Sequence, residues 1–85
     1  MYAIEFSKKA RKAMLGLPAN SRRLILDKIY ELALDPLAPN NNVKKLTGRE
    51  GYRLRVGNWR VIYEINALTI VLYVVAIGAR GGVYQ

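Results

Sequence analysis

The chain has 85 residues, 52% of them hydrophobic, enough for one small packed domain and too apolar for a disordered segment. Fourteen Lys and Arg against six Asp and Glu leave a net charge of +8, which favours an anionic partner: nucleic acid, an acidic protein segment or an anionic membrane surface. Cysteine and histidine are both absent, which excludes disulfides and thiolate metal sites and removes the commonest general base and metal ligand.

The carboxylates are scattered with no pair at metal-ligand spacing, so neither a metal nor a cofactor is expected. The opening Met1-Tyr2-Ala3-Ile4-Glu5-Phe6 lacks the basic region and apolar stretch of a signal peptide. The longest apolar tract, Ile70 to Ile77, falls well short of the roughly 20 residues that span a bilayer. A soluble, cytoplasmic protein with no membrane partner is the expectation.

Tyr2 to Phe6 reads as a short first strand, and Ser7 as the N-cap of a helix running to about Gly16. Ala10, Ala13, Met14 and Leu17 recur at i, i+3, i+4 and i+7 and form its apolar stripe. Lys8, Lys9, Arg11 and Lys12 lie off that stripe, as a solvated face does, with a secondary phosphate-contacting patch as the functional alternative. After Pro18 a second helix is predicted over Ala19 to Leu34, stopped by Asp35-Pro36. Leu24, Ile25, Leu26, Ile29, Tyr30, Leu32 and Ala33 cover a broad apolar arc on it. Pro36 to Asn42 is a loop, and Lys44 and Lys45 precede Leu46.

The run Tyr52-Arg53-Leu54-Arg55-Val56 alternates apolar with cationic residues, the period of a half-buried strand. Gly57-Asn58 predicts a two-residue hairpin turn, with Trp59 to Ile65 returning. That loop length pairs Val56 with Trp59, so Arg55 faces Arg60 and Arg53 faces Ile62. Three guanidiniums share one face, while Tyr52, Leu54, Val56, Trp59, Val61 and Tyr63 fill the other. Like charges directly opposite across a sheet are destabilising, and a polyanion between them would relieve that cost.

Asn66-Ala67-Leu68 reads as a three-residue turn before a last strand, Thr69 to Ile77. With that turn Tyr63 faces Val71 and Ile62 faces Leu72, which puts Leu72, Val74 and Ala76 on the arginine face. The same parity carries Arg80 there, and Gly81-Gly82 gives Tyr84 a flexible link back. The predicted fold is α+β: one domain over 1–85, ordered β-α-α-β-β-β. Its helical hairpin packs on one face of a mainly antiparallel four-stranded sheet.

A cluster of guanidiniums binds phosphate and stabilises developing negative charge, and it is a poor proton acceptor. RNA cleavage without metal needs the ribose 2′-OH to attack the adjacent phosphate in line, with its proton accepted elsewhere. Tyr84 is the remaining candidate for proton transfer, since neighbouring cations favour the phenolate; its alternatives are stacking on a base or packing in the core. Lys44, Lys45 and Arg49 border the groove as ordinary surface charge or as substrate-positioning groups.

With those residues laid out, the chain resembles the RelE/ParE superfamily of bacterial toxins from toxin–antitoxin pairs, over essentially all 85 residues. The resemblance rests on the opening strand and helical hairpin, on Lys45-Leu46 with Gly48, and on the run from Gly51 to Ile65. It is completed by Ile77-Gly78-Ala79-Arg80-Gly81-Gly82-Val83-Tyr84. It implies one of two activities: RelE-like cleavage of messenger RNA in the ribosomal decoding site, or ParE-like inhibition of DNA gyrase. Arg80 and Tyr84 fit the tail of the RelE-like branch. By the same resemblance Arg53 and Arg55 occupy basic catalytic positions, often lysines in relatives, and Arg60 matches a phosphate-binding arginine. Ala79 stands where many relatives have histidine, which leaves a catalytically impaired, antitoxin-binding homologue as a further alternative. The resemblance also implies a cognate antitoxin as partner, with operator DNA contacted only indirectly through it.

Overall fold

The computed structural model describes residues 1–79, so Arg80 and Tyr84 lie outside the described residues. Strand β1 (Ala3–Phe6) leads into α1 (Lys8–Leu15), followed by α2 (Ala19–Leu34). Strands β2 (Val43–Lys45), β3 (Tyr52–Val56), β4 (Trp59–Asn66) and β5 (Val71–Ala79) complete the order. The strands form one sheet in the order β1-β5-β4-β3-β2, in which β1 runs parallel to β5 and the other pairings are antiparallel. The α+β class and the helical hairpin are as the sequence predicts. The sheet, however, has five strands and not four. The additional strand is β2, whose three residues include two lysines and offer no alternation to read.

Ser7 joins the two layers. Its backbone is extended, its Oγ accepts the N–H of Ala10 at 2.9 Å, and the same hydroxyl donates to the Val75 carbonyl at 2.6 Å. At the other end of α1 the guanidinium of Arg22 donates to the Met14 carbonyl at 3.1 Å and, just beyond the helix, to the Leu17 carbonyl at 3.0 Å. That clamp fixes the hairpin between the helices. From α1 the residues Ala10 and Met14 are buried, and from α2 Ile25, Ile29, Leu32 and Ala33. Leu24 and Tyr30 of the predicted arc stay exposed, so α2 buries a narrower stripe than its composition suggests. The helices meet Leu54, Val56, Val61, Tyr63, Leu72, Val74 and Ile77 in one core on a single sheet face.

The β4–β5 register departs from expectation. Ile65 faces Leu72 and Tyr63 faces Val74, so Leu72 and Val74 join the helix-side core and not the arginine face. The Asn66 side chain explains the longer loop: its Oδ1 accepts the N–H groups of Leu68 and Thr69, both at 3.1 Å. Ile70 then closes the loop at φ 57, a backbone conformation unusual for a β-branched residue. A bulge follows, with Tyr63 opposite Val74 and Ile62 opposite Ala76, leaving Val75 as the extra residue. Ala76 therefore does reach the arginine face, where it packs with Ile62, Leu46 and Val75. Among the described residues no helix is long and apolar enough to cross a membrane.

Candidate functional site

The β3–β4 hairpin forms as its sequence requires. Gly57 takes φ 57 while Asn58 does not have a positive φ, the type II′ arrangement that matches the twist of paired strands. Val56 pairs with Trp59, Arg55 with Arg60, and Arg53 with Ile62. The N–H of Arg55 donates to the Asn42 carbonyl at 2.8 Å, toward β2 and away from β4. Arg55 and Arg60 are thus a pair without mutual backbone hydrogen bonds, the kind whose Cα atoms approach to about 4.5 Å. Two guanidinium-bearing residues stand at the closest spacing a sheet offers.

Their side chains are held apart by different anchors. Arg55 donates from Nη2 to Asn42 Oδ1 at 3.2 Å. Arg60 donates from Nη1 to the carbonyls of Gly57 and Trp59, both at 3.0 Å, and so reaches back over the turn. Arg53 is half-buried beside Ile62, and Lys44 of β2 pairs directly with Arg53, adding a fourth cation to the same face. Gly78 sits opposite Arg60 in the register and contributes no side chain to that position.

The other basic residues separate. Lys45 pairs with Tyr52 and therefore belongs to the helix-side face at the sheet edge. Arg49 lies exposed in the loop between β2 and β3, which the Leu46 N–H to Gly51 carbonyl bond closes at 3.0 Å. Gly51 is required there. Its φ is +109, and a Cβ would stand 2.8 Å from the Tyr63 carbonyl.

Farther along the same face the charge reverses. Glu64 pairs with Tyr73, and Tyr73 with Glu5, so two carboxylates flank an exposed aromatic ring in one row across β4, β5 and β1. Among the described residues neither carboxylate forms an ion pair. Glu64 is four residues from Arg60 along β4, about 13 Å at the rise of an antiparallel strand.

Around the turn, an open depression of about 680 Å³ lies between α2 and the hairpin, lined by Lys28, Asn42, Arg55, Asn58 and Arg60 among others. Sequence reasoning missed Lys28, Asn42 and Asn58 as site residues. The Asn40-Asn41-Asn42 run was a usable signal: Asn40 Oδ1 accepts the Asn42 N–H at 2.9 Å, and this local turn presents Asn42 to Arg55. Nothing in the sequence distinguishes Lys28 from other helix-surface lysines. Among the described residues no group of His, Cys, Asp and Glu could hold a metal ion. The arrangement can bind and stabilise phosphate charge; among the described residues it contains no conventional proton acceptor on the cationic part of the face.

Comparison with known proteins gives a consistent result. The family described as ParE toxin of type II toxin-antitoxin system, parDE, matches residues 4–84. Among solved structures, the archaeal RelE–RelB complex from Pyrococcus horikoshii OT3 contains a chain 30% identical, with 95% of this chain and 97% of that one covered and a TM-score of 0.79. The RelB–RelE antitoxin–toxin complex from Methanococcus jannaschii gives 28% identity, 94% coverage of both chains and a TM-score of 0.71. The intact E. coli RelBE toxin–antitoxin complex gives 26% identity, 93% and 96% coverage and a TM-score of 0.78. No curated protein sequence matches.

Proposed function

The chain belongs to the ParE toxin family of type II toxin–antitoxin systems, and within that family we propose that it is a ribosome-dependent messenger-RNA endoribonuclease that works without a metal ion. One observation carries the reading: Lys44, Arg53, Arg55 and Arg60 converge on the sheet face that the helices leave uncovered. A protein with +8 net charge gathers cations at the closest cross-strand spacing only at a cost in stability, and a phosphodiester at that place offsets the cost. Arg53, Arg55, Arg60 and, from the tail, Arg80 bind the scissile phosphate and stabilise its extra negative charge as the 2′-OH attacks. Tyr84 serves in proton transfer or stacks on a base. Lys44 and the more distant Lys45 and Arg49 position the strand. Arginine stays protonated at any ordinary pH, so its part is electrostatic and the alignment of the 2′-OH falls to the ribosome.

The solved relatives named above are complexes with RelB antitoxins, which supports a cognate antitoxin as the neutralising partner of this chain. A carboxylate-rich segment of such a partner competes with RNA for the arginines. Operator DNA is then reached only through the antitoxin, and the site of action is the cytoplasm.

The test is toeprinting on programmed ribosomes with the protein and its Arg60→Ala and Tyr84→Ala variants. New RNA ends within the decoding site, lost in both variants, are expected. Intact message from folded, antitoxin-free protein refutes the reading. A second reading is favoured by the family match itself, whose description names the ParE branch: inhibition of DNA gyrase, with the arginines serving a protein interface. It predicts cleaved DNA–gyrase complexes, no decoding-site cleavage and little effect of Tyr84→Ala.

A further inference from the structure

We propose that the depression between α2 and the β3–β4 turn is a second phosphate subsite, which takes the nucleotide adjoining the reacting phosphate, and that Lys28 is its distinguishing residue. The inference rests on the polynucleotide reading of the arginine face. Among the described residues three cations line the depression, Lys28 from the helix layer with Arg55 and Arg60 from the sheet, and no carboxylate side chain does. Both arginines are preorganised, Arg55 by Asn42 and Arg60 by the turn carbonyls, so anion binding there orders little that is not already ordered. Asn42 and Asn58 add amide donors and acceptors, and half-exposed Leu24 supplies an apolar wall for a sugar or base. The volume, about 680 Å³, admits a whole nucleotide and exceeds what a single phosphate needs.

The subsite is continuous with the arginine face. Arg55 lies two residues from Arg53 on β3, about 7 Å at the strand rise, and both point to the same side. A single strand whose phosphate sits over Arg53 can step to Arg55 and turn over the hairpin toward Lys28. At rest Lys28 Nζ pairs with Glu31 at 3.3 Å, an exposed pair that a phosphate displaces at small cost. This gives two substitutions of opposite sign. Lys28→Ala removes a phosphate contact, and Glu31→Gln releases the lysine for one.

The experiment measures anisotropy of a labelled, uncleavable 2′-O-methyl oligouridine 12-mer, titrated across salt concentrations. Lys12→Ala, which removes the same charge from α1, is the reference. Lys28→Ala is expected to weaken binding about five- to tenfold more than Lys12→Ala and to reduce the salt slope by about one. Glu31→Gln is expected to tighten it. Equal effects of Lys28→Ala and Lys12→Ala would overturn the proposal, leaving only net charge. So would a Lys28→Ala variant that binds the oligonucleotide normally but loses affinity for an oligoglutamate peptide, which would assign the depression to an acidic protein segment. If Arg53→Ala also binds the oligonucleotide like the parent protein, the polynucleotide reading itself fails, a result distinct from failure of the subsite alone.

Discussion

Replacing Tyr63 by Phe removes a hydroxyl that the fold buries and leaves without a hydrogen-bond partner among the described residues. The residue is 0% exposed, and its ring stacks on Tyr52 with centroids 5.5 Å apart, so the packing of the ring survives the substitution. A stranded polar group costs about 1–3 kcal/mol. The void left by one oxygen is smaller than a methyl group and takes back less than about 1 kcal/mol. The expected net gain is about 1 kcal/mol. In urea, with a slope of about 1 kcal/mol/M for so small a protein, the midpoint rises by roughly 1 M.

Alkaline pH supplies a second readout of the same substitution. Burial first, and Tyr52 second, push the Tyr63 phenol well above its ordinary value of 10.0. An acid whose pKa is raised by folding holds its proton more tightly in the native state. Its contribution is therefore complete below about pH 10 and is lost as pH climbs past 10 toward the native pKa. The Phe variant lacks this loss, so its advantage should widen above pH 10. Equilibrium unfolding of both proteins from pH 7 to 11 checks the argument. A variant less stable by more than about 1 kcal/mol, or an alkaline decline identical in both proteins, refutes it.

Gly51→Ala places a Cβ against the Tyr63 carbonyl at a backbone φ of +109, and a loss of at least about 3 kcal/mol in urea unfolding is expected. Ser7→Ala removes the α1 cap and strips the Val75 carbonyl of its donor; a loss of about 1–2 kcal/mol should appear in the same assay, and Ser7→Asp should restore the cap but not the bond to Val75. Arg55→Thr relieves the close pairing with Arg60, so thermal stability at low salt should rise slightly and the difference should shrink with added salt, while decoding-site cleavage falls at least tenfold.

The hairpin at the heart of the site was legible because three independent signals agree there: strict alternation, a Gly-led two-residue turn and a register fixed by loop length. Arg53, Arg55 and Arg60 fell where that reasoning put them. Both helices were legible, α1 from its apolar stripe and the Ser7 cap, and α2 from its apolar arc between Pro18 and Asp35-Pro36. Legibility ended where side chains reshape backbone. Asn66 holds two loop N–H groups and lengthens the turn, and Val75 inserts a bulge, so the faces of β5 could not be assigned by parity. Lys44 and Lys45 are identical residues in sequence, and only the pairing of β2 with β3 separates the one beside Arg53 from the one beside Tyr52. Lys28 was invisible because its role depends on which part of α2 lies over the hairpin turn.

The row Glu5–Tyr73–Glu64 gives the cationic face a closed end. The nearer carboxylate, Glu64, stands about 13 Å from Arg60 by strand rise, beyond the Debye length of about 8 Å at physiological salt, so the two carboxylates act little on Arg60. They act on whatever comes next along the sheet. A polyanion that crossed Ile62 toward Glu64 would trade attraction for repulsion within a single strand length, so its low-energy path is out over the Gly57-Asn58 turn. A protein segment of mixed charge meets no such barrier and can lie along the whole face. The same surface thus directs a uniform polyanion one way and accommodates a chain of alternating charge along its whole length.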